Sequence, residues 1–495
     1  METEAFLFPT SFAQQRLWFI DRLMPGTAVY NVPAVVRFRG WLDVRVLEQS
    51  LNEIVRRHEA LRTTFVSVEG RPMQLITPTL RLPLPVTDLQ QTLAAAHDAD
   101  VMRLAVEESR RPFDLTRGPL MRASLLRVAE DEHVLLLTMH HIVSDGWSLG
   151  VLYRELEQLY RAYRAGLASR LPEPAIQYPD FAVWQRRWLE GGALDGQLAY
   201  WNKQLGGVLP ALELPLDNPR PAMQDFDGAS QFLTLPENLT QALKRLSRSE
   251  GVTVFTFLLA AFQLLLSRLS GQQDIIVGTP FAGRNHVETE PLIGFFIGTL
   301  ALRADLSGAP SFSELLARTR KVTLDAYANQ DVPFEKLVEE LRPERNTARH
   351  PIFDVLINYT SSRQVTPRLD DLTIETLNIE QRQSKFLMTL YIRDEQRLGL
   401  ELVYQTASFS SERATCLLEQ YQYLLEQICA APQLPISAYS LVTRRARELL
   451  PDPAAPLAEP AYPMAPDPIA AWARSRPKRT AAVQNGKDWS YTKLW

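Results

Sequence analysis

The stretch that decides the fold is "TMHHIVSDGWSLG", which runs from Thr138 to Gly150. Apolar residues precede it and an amphipathic pattern follows it, so it predicts a strand, a turn and a helix. Two of the chain's seven histidines, His140 and His141, are adjacent here. Consecutive side chains on a strand point to opposite faces. We therefore expect His140 to face the core and His141 to face a cavity.

The residues after the histidine pair suit a reactive site. Histidine has the side chain best suited to proton handling near neutral pH. Asp145 lies where the chain leaves the strand, and Gly146 allows close approach to the backbone. Amide groups at the start of the following helix could polarise a carbonyl group. An isolated histidine pair is more often structural, so the functional interpretation depends on the whole string.

Length and composition limit the class of protein. The chain has 495 residues, 46% hydrophobic and 22% charged, which predicts two or three packed units. The net charge of −4 implies no broad basic surface for nucleic acid. No metal-ligand spacing is present, and the two cysteines, Cys416 and Cys429, form no disulfide framework. We expect a cytoplasmic protein without a signal peptide.

The longest apolar stretch, residues 251–267, raises the question of a membrane span. It is slightly short for one and contains threonine and glutamine. We interpret it as a buried helix and expect no association with a membrane.

Helical and strand patterns alternate in both halves, which predicts two α/β sandwiches. We place the first lobe at residues 1–175, with the histidine pair, and the second at 176–446. Residues 451–468 contain seven prolines, so we assign 447–468 to a linker. Residues 469–495 resume a globular pattern that stops at Trp495.

The string "HHIVSDGWS" (140–148) resembles the signature of condensation domains of nonribosomal peptide synthetases, two histidines followed after three residues by Asp-Gly. Other strings resemble further family motifs in the family's order. They are "SFAQQRLWF" (11–19), "RHEALRTTF" (57–65), "YPDFAVWQ" (178–185), "IGFFIGTLALR" (293–303), "NQDVPFEKLVEEL" (329–341) and "RPERNTARHPIFDVLINY" (342–359). The resemblance covers the first 446 residues, and residues 469–495 resemble the truncated start of an adenylation domain.

The resemblance implies a chloramphenicol-acetyltransferase-like fold, with two lobes in a V-shaped pseudo-dimer around a central tunnel. It implies an acyltransferase in which an amine attacks an acyl thioester to form an amide. Substrates would be carried on phosphopantetheine arms of carrier domains or on coenzyme A, with no covalently bound cofactor. The implied partners are a peptidyl carrier domain as acceptor, an acyl-CoA or upstream carrier as donor, and the adjacent adenylation domain.

The resemblance also implies roles for the motif residues. His141 would face the tunnel and either accept a proton from the amine or position it, and His140 would support the wall. Asp145 would form a buried ion pair with Arg284, or alternatively with Arg62, rather than act as a relay.

Five further residues lie near the reacting groups in this interpretation. Gly146 would place its N–H near the thioester carbonyl or the phosphopantetheine arm. Trp147 and Ser148 serve in packing and helix capping, with substrate contact as the alternative. Gly298 and Asn329 stand where the family usually has Asn and His. We place these two near the substrate channel, where they would alter donor selection or be neutral.

Three functions remain in competition. Met1 lies only ten residues before the first motif, which favours a starter domain that acylates the first amino acid with a fatty acyl group, for lipopeptide synthesis. The alternative is an elongation domain with an L-aminoacyl or peptidyl carrier donor. A third possibility, from another class, is a non-catalytic module that recruits a partner.

Overall fold

A computed structural model describes residues 5–91, 97–192, 194–223, 225–344, 346–361, 369, 371–377, 379, 383–450 and 466–495. It forms two compact units, Met1–Leu441 and Val442–Trp495. The lobe boundary at residue 175 and the linker at 447–468 stay predictions, and 451–465 lie outside the described residues.

The first part of the chain contains seven strands and four helices among the residues described. The strands are β1 (Phe6–Pro9), β2 (Asn31–Arg39), β3 (Thr63–Val68), β4 (Arg71–Ile76), β5 (Val86–Asp88), β6 (Met121–Ala129) and β7 (Glu132–His140). The helices are α1 (Phe12–Leu23), α2 (Val44–Arg57), α3 (His97–Arg110) and α4 (Gly146–Arg164).

The second part of the first unit contains seven strands and seven helices among the residues described. The strands are β8 (Gly228–Thr234), β9 (Asp274–Phe281), β10 (Gly298–Asp305), β11 (Val355–Ser361), β12 (Thr373–Leu377), β13 (Met388–Asp394) and β14 (Leu398–Gln405). The helices are α5 (Tyr178–Glu190), α6 (Asp195–Leu205), α7 (Glu237–Ser249), α8 (Val254–Ser270), α9 (Phe312–Ala328), α10 (Phe334–Leu341) and α11 (Ser411–Ala430).

Strand β7, which ends at His140, lies at the centre of a covered sheet. The sheet has the order β12-β2-β7-β6-β5, and β7 runs antiparallel to both neighbours. Leu135 and Leu137 pack into one hydrophobic cluster, whereas Val134 and Leu136 pack into another. A strand buried on both faces needs apolar residues at every position, which explains its unbroken apolar run.

A second sheet supports the other side of the first unit. Its order is β10-β9-β11-β13-β14-β8, with β11 parallel to β9 and β13. Helix α8 packs there with nearly all of its middle turns buried, as expected for residues 251–267. A third sheet has the order β1-β4-β3.

The second part of the first unit contributes one strand to the first sheet. Strand β12, from the predicted second lobe, pairs antiparallel with β2 of the first lobe, with Thr373 opposite Arg39. The edge of the first sheet is therefore completed by a strand distant in sequence.

The length and polarity of the helices bear on membrane spanning. Among the residues described, no single helix is long and apolar enough to cross a membrane. Helices α7 and α8, which are bent by 105° relative to each other, have the required length and composition only when they are taken as a pair.

The second unit contains α12 (Arg444–Leu449), α13 (Pro466–Ser475), β15 (Thr480–Gln484), β16 (Lys487–Ser490) and α14 (Tyr491–Leu494). Helix α13 begins inside the segment assigned to the linker. Proline is well tolerated in a first helical turn, so Pro466 does not oppose this helix.

A buried ionic cluster joins α2 to α4. The Glu155 carboxylate accepts hydrogen bonds from Arg57 at 3.0 and 3.1 Å and lies 3.1 Å from His58 Nε2. The Arg57 side chain is 3% exposed, so its charge depends on this carboxylate.

We expect Glu155→Ala to lower the free energy of unfolding by about 3–5 kcal/mol, because it removes the buried partner of Arg57 and leaves only the exposed Glu173 carboxylate, 3.9 Å away. Urea unfolding measures this. Glu107→Ala is the control, since it removes an exposed partner of Arg103 and should cost less than about 1 kcal/mol. Equal losses in the two variants would contradict the prediction.

Candidate functional site

The histidine pair lies where β7 ends. His140 is the last residue of β7, opposite Asn31 of β2. His141 begins a short 3₁₀ turn, His141–Val143, before α4 starts at Gly146. His141 is thus not on the strand, and the turn rather than strand alternation directs its side chain.

His140 is a buried wall residue. It is 3% exposed, and its Nδ1 accepts a hydrogen bond from the Ile142 N–H at 3.1 Å. The Phe113 ring meets it edge-on with centroids 6.1 Å apart. Burial, and then the charges of His141 and Lys385, lower the pKa of His140 to about 3.

His141 has a defined tautomer. Its Nδ1 lies 2.7 Å from the Ser144 carbonyl oxygen. A carbonyl oxygen only accepts, so Nδ1 donates and Nε2 of the neutral ring carries a free lone pair. Phe295 packs against the ring edge with centroids 4.8 Å apart. Burial, and then the charge of Lys385, lower the pKa of His141 to about 3.

Asp145 is held by donors other than His141. Its Oδ1 accepts from the Ser148 N–H at 2.8 Å, which makes Asp145 the N-cap of α4. Its Oδ2 accepts from the Phe296 N–H at 3.0 Å. Arg284 Nη2 lies 3.1 Å from Oδ1. Asp145 therefore forms a buried ion pair with Arg284 and caps α4, while its structural rather than relay role stays a prediction.

Arg284 forms the buried end of this ion pair. Its side chain is 1% exposed. Nη1 donates to the carbonyl oxygens of Thr289 and Leu292, and the guanidinium lies 4.1 Å from the centre of the Phe296 ring. Burial lowers the pKa of Arg284, while Asp145 opposes this effect.

The first residues of α4 have different surroundings. Ser148 Oγ lies 2.7 Å from Asp145 Oδ1 and accepts from the Gly294 N–H at 3.1 Å, so Ser148 serves in capping and packing. Trp147 Nε1 donates to the Glu290 carbonyl at 2.9 Å. Gly146 faces open space, because a Cβ there would meet no atom within 4 Å.

Three predicted residues lie outside this group. Arg62 donates to the Thr77 carbonyl at 2.7 Å, so the alternative of an Arg62–Asp145 pair is wrong. Gly298 begins β10, where a Cβ would clash with the Phe281 ring at 2.2 Å, so this position cannot take Asn without a shift of that ring. The Asn329 carbonyl, at the end of α9, accepts from Trp201 Nε1 at 2.7 Å.

The structure adds residues that sequence reasoning missed. Gln14 Nε2 donates to the Ile142 carbonyl at 3.2 Å and so supports the turn. Tyr178 OH donates to the Phe295 carbonyl at 2.7 Å. Lys385 acts on His141 through its charge. The signal for Lys385 was a single cation in the apolar run "SKFLMTLYI" before a strand.

Metal-ligating side chains do not cluster around the histidine pair. The part of the chain that the structure describes contains no group of three or more His, Cys, Asp or Glu side chains that could hold a metal ion.

Comparison with known sequences identifies the family. The Condensation domain family model matches residues 6–450. The chain is 47% identical over 443 residues to one of the linear gramicidin synthase proteins of Brevibacillus parabrevis, covering 89% of this chain and 6% of that protein. The chain therefore belongs to the condensation domains of nonribosomal peptide synthetases, acyltransferases that form amide bonds. It spans less than a tenth of that relative.

Comparison with solved structures confirms the chloramphenicol-acetyltransferase-like fold class. The X-domain from teicoplanin biosynthesis in complex with OxyB is 28% identical, with a TM-score of 0.79, covering 88% of this chain and 96% of that one. A four-domain nonribosomal peptide synthetase, holo-AB3403, shares the fold at 22% identity and a TM-score of 0.83, covering 100% of this chain and 38% of that one.

We expect Asp145→Ala to lower the free energy of unfolding by about 3–5 kcal/mol, because Arg284 would stay buried without its partner. The double variant Asp145→Ala/Arg284→Met should recover part of this loss. Urea unfolding of the three proteins checks both statements. A single variant as stable as the parent would refute the structural part given to Asp145.

Acid should destabilise the fold through its neutral histidines. His140, His141 and His350 each have a pKa lowered from 6.5 to about 3, with burial as the main cause. The unfolded chain binds more protons between these values, so stability is full above about pH 6.5 and falls below it by about 1.4 kcal/mol per pH unit for each ring.

Urea unfolding between pH 7.5 and 4.5 measures this slope. Replacement of His350 by Gln should remove about one proton's share of it. An unchanged slope in this variant would show that His350 is not held neutral.

Proposed function

We propose that His141 is the reactive side chain of this condensation domain and that it orients the acceptor amine. The observation that carries the proposal is the Nδ1–H bond from His141 to the Ser144 carbonyl, at 2.7 Å. This bond leaves Nε2 as the hydrogen-bond acceptor. The family membership of the chain supplies the reaction class.

The reaction proceeds by aminolysis of a thioester. The amine lone pair forms a C–N bond with the carbonyl carbon, the carbonyl oxygen takes up negative charge, and the C–S bond then breaks. The proton released by nitrogen is taken up by the leaving thiolate. The products are an amide and a free thiol, and His141 stays neutral throughout.

The environment of His141 favours positioning over full proton storage. Its pKa of about 3 makes a stable imidazolium unfavourable. Orientation of two reactants can lower the reaction barrier by roughly 7–11 kcal/mol. A general base typically contributes ~10²–10⁴ in rate, which corresponds to only about 3–5 kcal/mol. We therefore propose that Nε2 accepts a hydrogen bond from the amine and aligns its lone pair.

Gly146 would lie beside the acyl thioester or its phosphopantetheine arm. Its backbone φ is not positive, and a Cβ would meet no atom within 4 Å, so the fold does not demand glycine here. The space that a side chain would fill is therefore left for substrate.

The donor and the partners belong to this proposal. A peptidyl carrier domain presents the acceptor amine, and an adenylation domain lies in the same synthetase. The donor is a fatty acyl group from coenzyme A in a starter role, or an L-aminoacyl or peptidyl group from an upstream carrier in an elongation role. Neither role requires a different use of His141.

A mass-spectrometric condensation assay tests the function. The protein is mixed with an aminoacyl-loaded carrier and with either a panel of fatty acyl-CoAs or a donor carrier loaded with an L-amino acid. We expect an amide product from one donor class, and a rate lower by about 10²–10⁴ in His141→Ala. Acyl-CoA as donor would establish the starter role, and a loaded carrier alone the elongation role.

Two further variants accompany the assay, the first as a control and the second as a test of the space at Gly146. His286→Ala removes an exposed histidine that packs edge-on against Trp184 and should keep the parent rate. Gly146→Ala should fold as stably as the parent yet react more slowly. Full activity of His141→Ala would overturn the proposal.

A recruitment module is the second candidate. The observation in its favour is the similarity to an X-domain seen in complex with OxyB. If the carrier binds but no amide forms with any donor, the chain serves to recruit a partner.

A further inference from the structure

Phe295, which packs against the His141 ring, lies in a segment without helix or strand, residues 290–297. The backbone polar groups of such a segment need partners outside it. Tyr178 of α5 supplies one, because its hydroxyl donates to the Phe295 carbonyl at 2.7 Å. A Cβ on Gly294 would lie 2.1 Å from the Tyr178 ring, so the segment lies close against that ring. The position of Phe295 beside His141 therefore depends on a side chain distant in sequence.

The bonds around the Tyr178 hydroxyl have a fixed direction. Tyr178 has one hydroxyl hydrogen, and the Phe295 carbonyl can only accept, so this hydrogen goes to Phe295. Ser11 Oγ lies 2.8 Å from the same hydroxyl and must then donate to the Tyr178 oxygen. Ser11 Oγ also accepts from the Gln14 N–H at 3.1 Å, since Ser11 is the N-cap of α1. The network thus continues from Tyr178 into the first turn of α1.

Gln14 carries the network to the other side of His141. Its Oε1 accepts from the Ser11 N–H at 3.1 Å, which closes the capping box of α1. Its Nε2 donates to the Ile142 carbonyl at 3.2 Å and to Gln74 Oε1 at 3.2 Å. Ile142 follows His141 in the 3₁₀ turn. One chain of hydrogen bonds therefore joins the turn that carries His141 to the residue that packs on its ring.

We call Ser11, Gln14 and Tyr178 the clamp. All three are at most 1% exposed, and each of their polar side-chain atoms has a hydrogen-bond partner. A fully paired buried network holds one geometry, because breaking any of its bonds leaves a buried polar atom unpaired. The clamp is therefore a rigid support for the two groups that adjoin His141.

We propose that the clamp is a positioning device of the condensation reaction, which holds the His141 ring so that Nε2 meets the acceptor amine. It acts through the Ile142 carbonyl on one side and Phe295 on the other. The Nδ1 bond to Ser144 alone lets the ring tilt about that bond, and the contact with Phe295 removes this freedom. The proposal rests on the proposed function, because it assumes that His141 is the reactive side chain. No member of the clamp makes or breaks a bond to substrate.

Tyr178→Phe tests the clamp by removing one oxygen atom. The Phe295 carbonyl and the Ser11 hydroxyl lose their partner, while the ring at position 178 still fills the space beside Gly294. With the donor and acceptor carrier found productive in the condensation assay, the single-turnover rate at saturating acceptor should fall about tenfold to a hundredfold. The half-saturating acceptor concentration should change by less than about twofold, because the clamp does not touch substrate.

Tyr421→Phe is the matched control. The Tyr421 hydroxyl is also buried and donates to the Leu258 carbonyl at 2.7 Å, in the core of the second part. Both variants should lose similar stability in urea, because each leaves one buried carbonyl without its donor. Only Tyr178→Phe should slow the reaction. Equal rates in the two variants would overturn the proposal.

A second pair of variants keeps the test open if Tyr178→Phe folds poorly. Gln14→Met removes the Nε2 donor at the Ile142 carbonyl and should lower the single-turnover rate about tenfold. Gln263→Met removes a buried amide that donates to the Leu302 carbonyl at 3.3 Å, and it should keep the parent rate. A parent rate in Gln14→Met would also overturn the proposal.

NMR without substrate distinguishes failure of the clamp from failure of the proposed function. The seven histidine side chains are labelled with ¹³C, and His141→Gln assigns the His141 signals. These ring C–H signals should shift in Tyr178→Phe, as Phe295 moves, and should keep their parent positions in Tyr421→Phe. Unshifted His141 signals in Tyr178→Phe overturn the clamp, whatever the condensation assay gives. Full activity of His141→Ala overturns the proposed function instead.

Discussion

The buried ion pair between Asp145 and Arg284 is the interaction on which the site depends. Asp145 caps α4 and accepts the Phe296 N–H, while Arg284 holds two carbonyl groups of the loop that precedes β10. The pair therefore ties the histidine turn to a segment about 140 residues later in the chain. Charges this deeply buried require full pairing, so the geometry tolerates little variation.

This constraint fixes the histidines through the backbone. Once Asp145 starts α4, the turn from His141 to Val143 brings the Ser144 carbonyl to His141 Nδ1, and Gln14 supports the turn from outside. His141 then has one tautomer and one orientation. The low pKa of both histidines follows from the same burial, with Lys385 adding to it.

Much of the fold followed from pattern. Three elements have residue patterns that fit only one degree of burial. They are the apolar strand β7, the capped amphipathic helix α4 and helix α8, which is apolar on all sides. The sandwich class could be predicted for the same reason, whereas the family was predicted from the resemblance of the motif strings. The addition of β12 to the edge beside β2 could not, because strand pairing across more than 300 residues leaves no local signal.

Within the site, the sequence by itself determined the identity and spacing of the motif residues: the histidine pair, Asp145 and Gly146. It left open whether Arg284 or Arg62 balances Asp145, and the tertiary structure decided this by burying Arg284 against it. It also decided that Lys385 lies beside the histidines. Local sequence fixes turns and caps through hydrogen bonds between near neighbours. The pairing of distant charges is decided only when the core closes around them and excludes water.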